Sequence, residues 1–180
     1  MLRTRVGYCG GTKENPTYWD LGDHTEAISI DFDPAILSYE DVLQHFWGSH
    51  DYQHNIRSTQ YRNAVFYRND EQRSQAESSR YGAAEIAGIS IEKVKTPLLR
   101  LHQFTYAEGY HQKYALTPHR ELRAFLESTY PDIRAFADSA VATRLNANLG
   151  TGRGGSASFS SEEVSRFGLP ESLESRVLSI

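Results

Sequence analysis

Polar and apolar positions alternate from the start of the chain, Leu2, Thr4 and Val6 against Arg3, Arg5 and Gly7. This period of two predicts a first strand over residues 2–8. Residues 25–32 alternate in the same way, Ala27 and Ser29 against Ile28, Ile30 and Phe32, which predicts a half-buried strand closed by Asp33-Pro34. A third alternating stretch runs over 59–67, with Tyr61, Asn63, Val65 and Tyr67 against Arg62, Ala64 and Phe66. Residues 91–97 and 99–105 read as two further short strands. Between them the period changes. Ser38 followed by Glu40 and Asp41 opens a helix whose apolar face is Val42, Leu43, Phe46 and Trp47. Asn69-Asp70 starts a polar helix to about Ala87, Glu108–Leu116 reads as a helical turn or short helix, and helices are expected at 119–129 and 138–149. Cys9–Lys13 is a Gly-rich turn. Gly, Ser and Thr over 150–161 predict a flexible linker. Residues 162–177 read either as a weak amphipathic helix or as a disordered tail.

Strands interleaved with helices point to an α+β fold, a two-layer sandwich of a mixed β-sheet with packed helices around a ferredoxin-like core, followed by a helical C-terminal extension. The expected division is 1–117 for the α+β domain, 118–149 for the extension and 150–180 for the linker and tail.

Composition narrows the classes. The 180 residues are 39% hydrophobic and 23% charged, with a net charge of -4, which leaves no basic footprint for nucleic acid or anionic lipid. No apolar run reaches a membrane span, and the first residues lack the apolar core of a signal peptide. A chain that opens inside a strand pattern leads us to expect further sequence upstream. Cys9 is the one cysteine, so neither an intramolecular disulfide nor a cysteine-based zinc site can form from this sequence. A cytoplasmic monomer is expected, organellar if upstream sequence carries an address.

Candidate chemistry centres on Tyr18, Glu26 and Tyr61. A buried Glu flanked by phenols can stay protonated and donate to a polar oxygen that the phenols orient. The plain alternative is that two of eleven tyrosines and one of many acids form no constellation at all. His45, His50 and His54 lie near a helix end, where the dipole alone favours histidine, and a zinc site would need a further ligand. Glu108 and His111 form half of a di-iron motif whose second copy is missing. Trp19 is either the wall of a substrate groove or an ordinary partly buried aromatic.

A colinear series of motifs carries a resemblance. It comprises Gly7–Gly11, Asn15-Pro16-Thr17-Tyr18, Asp23–Glu26, Asp33-Pro34, Ser38-Tyr39-Glu40, Phe46-Trp47, His50-Asp51, Thr59-Gln60-Tyr61-Arg62 and Tyr106–Gln112. Over roughly Arg3 to Tyr114 the chain resembles the methionine sulfoxide reductase A family, with residues after Thr117 outside the likeness. The resemblance implies a peptide-methionine (S)-S-oxide reductase, an enzyme of protein repair under oxidative stress. In such enzymes a thiolate attacks the sulfoxide sulfur of oxidised methionine in proteins or peptides, while a Glu and two Tyr hold and protonate the oxygen. By position that trio is Tyr18, Glu26 and Tyr61, serving both substrate binding and catalysis. A thioredoxin-like reductant is implied, with no cofactor and no metal.

The chain departs from the family in three places. The Gly-Cys-Phe-Trp-Gly segment with the family's nucleophile and methyl pocket is absent, and Phe46-Trp47 matches a different, structural helix. The loop before Thr59 is shortened to Tyr52–Ser58, with Ile56-Arg57 where relatives often place Asp-His. A C-terminal resolving cysteine is missing. Cys9, at a strand end beside two glycines, is the one available substitute nucleophile; its plain reading is a small semi-buried residue. The alternative to an enzyme is therefore a catalytically inactive relative serving as a binding or interaction module.

Overall fold

A computed structural model describes residues 2–54, 58–150 and 159–179. Its elements follow in chain order: β1 (Arg3–Cys9), β2 (Thr25–Asp31), α1 (Tyr39–Gly48), β3 (Val65–Tyr67), α2 (Asp70–Ile86), β4 (Leu98–Arg100), β5 (Phe104–Tyr106), α3 (Arg120–Thr129), α4 (Ile133–Asp138), α5 (Ala140–Leu149), α6 (Ser161–Ser165) and α7 (Glu171–Leu178). The fold is α+β. Its strands carry antiparallel and parallel pairings in two ladders, β2-β1-β5 and β3-β4. β1 runs antiparallel to β5 with Gly7 opposite Tyr106, and β3 runs parallel to β4 with Val65 opposite Leu98.

Two compact units divide the chain: Val6–Ala107, and Leu2–Arg5 with the residues from Glu108 onward. In the first, α1 starts where Ser38 and Asp41 cap each other reciprocally, each side chain accepting from the other's backbone N–H, a capping box. Leu43 and Trp47 of α1 bury against Ala76, Ala83 and Ala84 of α2, with Val65 and Val94. Small residues on α2 let the bulky α1 side chains approach. The indole N–H of Trp47 donates to Ser79 Oγ at 3.0 Å, which satisfies its one polar atom inside this core.

β2 buries its polar side. Thr25 and Ser29 are inside while Ile28 is 59% exposed. Arg62 donates to Thr25 Oγ1 at 2.7 Å, Arg68 donates to Ser29 Oγ at 3.1 Å, and the Thr25 hydroxyl donates to the Thr59 carbonyl. Hydrogen bonding of this kind removes the penalty for burying a hydroxyl. The same bonds explain why strand structure over 59–67 contracts to Val65–Tyr67: the backbone of Gln60 serves β2 locally, accepting from Glu26 N at 2.9 Å. Residues 91–93 form a 3-10 turn on the Ser90 carbonyl instead of a strand.

The second unit has its own core of Leu116, Leu122, Leu126, Phe136, Leu145, Phe159, Val164, Leu169, Leu173 and Val177. Residues 108–117 therefore group with the C-terminal helices, and the compact units divide ten residues before Thr117, where the sequence suggested a boundary. Ala115 N donates to Asn146 Oδ1 at 3.0 Å, and Leu116 is fully buried. Most of the expected linker, 151–158, lies outside the described residues. Beyond it there is no loose tail among residues 159–179: α6 and α7 pack apolar faces into this core, and Ser160 caps α6. Leu173→Ala is accordingly expected to cost this unit about 2–5 kcal/mol by denaturant unfolding, the usual penalty for emptying a buried leucine site. A loose tail would show no change.

Candidate functional site

β1 delivers the chain into Gly10 and Gly11. Gly10 has φ +80, a left-handed conformation that disfavours any side chain. Gly11 is needed for space: a Cβ there would lie 2.5 Å from Asp23 Oδ1 and 2.6 Å from His24 N. The close approach lets Asp23 accept from Thr12 N, the Thr12 hydroxyl and Lys13 N at 2.8–3.2 Å. These bonds, first of all the one from the Thr12 backbone, pull the Asp23 carboxyl down to about 2. His24 is 2% exposed. Gly11 N donates to its Nδ1 at 3.3 Å, so the ring proton sits on Nε2, which donates to Lys13 O at 2.8 Å. Gly11→Ala should break this lock and lower the melting temperature of the first unit by several degrees, about 2 kcal/mol or more.

The turn Thr17–Asp20 is closed from both sides. Thr17 N donates to Asp20 O at 3.3 Å, Asp20 N donates to Thr17 O at 3.1 Å, and Thr17 Oγ1 also accepts from Asp20 N. Lys13 Nζ pairs with Asp20 at 3.0 Å. Tyr18 and Trp19 occupy the tip, their rings edge to face at 5.1 Å.

Glu26 comes from β2 and Tyr61 from the segment pinned to it. Gln60 joins them: its amide donates to Glu26 Oε1 at 2.7 Å and lies 3.0 Å from the Tyr61 hydroxyl, to which it also donates. The Tyr61 hydroxyl in turn shares a hydrogen bond of 3.2 Å with that of Tyr18. Tyr18, Glu26 and Tyr61, distant in sequence, thus converge. The phenol of Tyr61 is held above its ordinary pKa first by the Tyr18 bond, with Glu26 adding, so it is a neutral donor at pH 7. Glu26 is half-buried, more open than the enclosed carboxyl expected, and Tyr61 is 53% exposed. Gln60 is the member that sequence reasoning passed over, although the Thr-Gln-Tyr-Arg motif contains it.

Cys9 stands apart in character. It is 1% exposed, and burial pushes its thiol from 9.0 to about 12, with Arg62 opposing weakly. The histidines have other partners: His50 bonds Phe46 O and Thr96 Oγ1, and His54 contacts Asp51. Ile56 and Arg57 lie outside the described residues. Among the described residues, no helix is long and apolar enough to cross a membrane.

A model of the family described as peptide methionine sulfoxide reductase matches residues 1–140. A peptide methionine sulfoxide reductase of Drosophila melanogaster is 37% identical over 163 residues, 90% of this chain and 64% of that protein. An MsrA of Escherichia coli is 41% identical over 125 residues, 63% of this chain and 59% of its own length. The chain thus spans about three fifths of these relatives. The crystal structure of Mxr1 from Saccharomyces cerevisiae in reduced form superposes with a TM-score of 0.58 at 21% identity, covering 66% of this chain and 71% of that one, a likeness of fold. These matches correct the extent read from motifs: the likeness does not stop near Tyr114 but takes in α3 and α4, and with the Drosophila protein nine tenths of the chain. A match through residue 140, carrying the motifs that build the Tyr18–Gln60–Glu26–Tyr61 cluster, means that this chain belongs to the methionine sulfoxide reductase A family.

Proposed function

We propose that the chain supplies the oxygen-recognising part of a peptide-methionine (S)-S-oxide reductase, acting as a cytoplasmic monomer on oxidised methionine in proteins with a thioredoxin-like thiol reductant. The reading rests on the convergence of Tyr18, Gln60, Glu26 and Tyr61 into one hydrogen-bonded group open to solvent. A sulfoxide oxygen is a strong acceptor without a donor of its own. Two phenols supply the donors it requires, with the Glu26 carboxyl held beside them through Gln60. As negative charge grows on that oxygen, Tyr61 and Glu26 can deliver protons to it. The thiolate sulfur attacks the sulfoxide sulfur and forms an S–S bond as the S–O bond breaks, the oxygen leaving as water with the two delivered protons. A water then adds to the thiol sulfur and loses a proton, and the S–S bond breaks with its electron pair going to the methionine sulfur. The products are methionine and a sulfenic acid, which a second thiol converts to a disulfide and water.

The attacking thiol in this reading is external, because the burial and raised pKa of Cys9 keep it from ionising. With dithiothreitol and a methionine sulfoxide peptide, slow turnover is expected that Cys9→Ser leaves unchanged and Glu26→Gln lowers by about 10²-fold or more, the scale of a lost general acid. Turnover abolished by Cys9→Ser would overturn the assignment. The burial of Cys9 also favours a second reading, a binding module without turnover. That reading wins if the sulfoxide peptide binds and no thiol reduces it.

A further inference from the structure

Trp19 is 87% exposed, second only to Ile86 among the large hydrophobic side chains of the described residues. An indole so open gains little from burial, and yet its position is firmly held. The Thr17–Asp20 turn is closed by two backbone hydrogen bonds and a side-chain bond, and Lys13 clamps its base through Asp20. Among the described residues its ring contact is the edge-to-face packing on Tyr18, whose hydroxyl bonds Tyr61 in the oxygen-recognising group. The other tryptophan behaves in the opposite way: Trp47 is 6% exposed, with its N–H committed to Ser79. The turn thus holds one aromatic towards the polar cluster and a second, larger one beside it, free on most of its surface.

We infer that Trp19 is a specificity-determining platform for the polypeptide around the oxidised methionine, taking an apolar side chain next to the sulfoxide in an extended segment. The inference rests on the reading of the Tyr18–Glu26–Tyr61 group as the sulfoxide site. Continuity supports it: a ligand whose oxygen reaches the Tyr18 hydroxyl has its neighbouring residues alongside the indole that packs on the same ring. Charge supports an apolar neighbour. Asp20, the ionic side chain of the Thr17–Asp20 turn, is paired with Lys13 and leaves the indole face as the recognising element. Rigid, exposed tryptophan is the side chain that gains most contact area for the least ordering cost when a peptide covers it.

Calorimetric titration of the full chain with three ligands tests this. They are N-acetyl-methionine sulfoxide amide, a hexapeptide with leucine beside the sulfoxide, and the same peptide with serine in place of leucine. The leucine peptide is expected to bind about tenfold more tightly than either other ligand, the scale of a single aromatic anchor. Trp19→Ala should erase that preference, Trp19→Phe should restore part of it, and Tyr81→Ala, an exposed aromatic on α2, should leave it intact. Of the two indole N–H resonances, that of Trp19 should shift on binding. A leucine preference that survives Trp19→Ala, or is absent from the parent chain, overturns the platform. Sulfoxide ligands that bind no better than the corresponding sulfides would instead defeat the reading of the site itself, and the platform with it.

Discussion

Iodoacetamide will alkylate Cys9 in the native chain at least a hundredfold more slowly than in the chain unfolded by guanidinium, at pH 8. Two terms act against each other, and their sizes decide the outcome. With the thiol raised from 9.0 to about 12, the thiolate fraction at pH 8 falls from about a tenth to about one in ten thousand. The thiolate of a weaker acid is a better nucleophile, which returns roughly twentyfold of that thousandfold loss. The remainder is multiplied by access, because the residue is 1% exposed between Tyr8 and the Gly10 turn. Mass spectrometry after timed quenching gives both rates. Equal rates would mean that the β1 terminus opens readily, and Cys9 would return as a candidate nucleophile.

The second unit is expected to grow more stable between pH 8 and 10.5, against the usual alkaline trend. Lys113 is 3% exposed and adopts a left-handed backbone with φ 52. Its ammonium donates to Thr4 O at 2.7 Å, Thr4 Oγ1 at 3.1 Å and Thr143 Oγ1 at 2.7 Å. Burial lowers its pKa from 10.5 to about 8, against the attraction of Asp138 and with help from Arg5. Below pH 8 the lysine is charged in both folded and unfolded chains, and the cost of burying the charge is complete. From 8 to 10.5 the unfolded chain holds a proton that the folded chain has released. Stability therefore rises with pH, by about 3 kcal/mol in all. Cys9 acts in the opposite sense on the first unit: its unfolded thiol ionises above 9.0 while the folded one waits until about 12, so stability there falls as pH rises. Denaturant unfolding of the parent and of Lys113→Met separates the lysine from the tyrosines that titrate in both. The stability of the parent relative to the variant should climb across that window, and a flat difference would contradict the account.

The parts of this molecule that were legible in the sequence are those governed by local rules. The Ser38 cap with Asp41, the polar helix after Asn69 and the helix before Leu149 all follow from adjacent residues. Elsewhere long-range hydrogen bonds, which no local pattern carries, decide the structure. The alternation of β2 gives no sign that Thr25 and Ser29 would be the buried side, because the arginines that satisfy them lie about forty residues on. Likewise 59–64 alternates like a strand, and only its bonds to β2 reveal a different use. In the C-terminal region Phe159, Val164, Leu169, Leu173 and Val177 are too widely spaced to suggest a core until α3 and α5 are there to receive them. At the site, motif resemblance pointed to Tyr18, Glu26 and Tyr61, and no spacing rule could have done so. Gln60 was hidden for the opposite reason: it sits inside a recognised motif beside a more conspicuous tyrosine, and its amide becomes informative only when Glu26 is seen 2.7 Å away.

The binding of the methionine sulfoxide oxygen that we propose for Tyr18, Gln60, Glu26 and Tyr61 is measured directly by the affinity difference between N-acetyl-methionine sulfoxide amide and its sulfide. Calorimetry on the parent chain should show the sulfoxide favoured at least tenfold, about 1.4 kcal/mol or more, the worth of a well-made hydrogen bond or two. In Tyr18→Phe/Tyr61→Phe, with the melting temperature unchanged, that preference should vanish. Equal affinity for sulfoxide and sulfide in the parent, or a preference that persists without the two hydroxyls, would contradict the account.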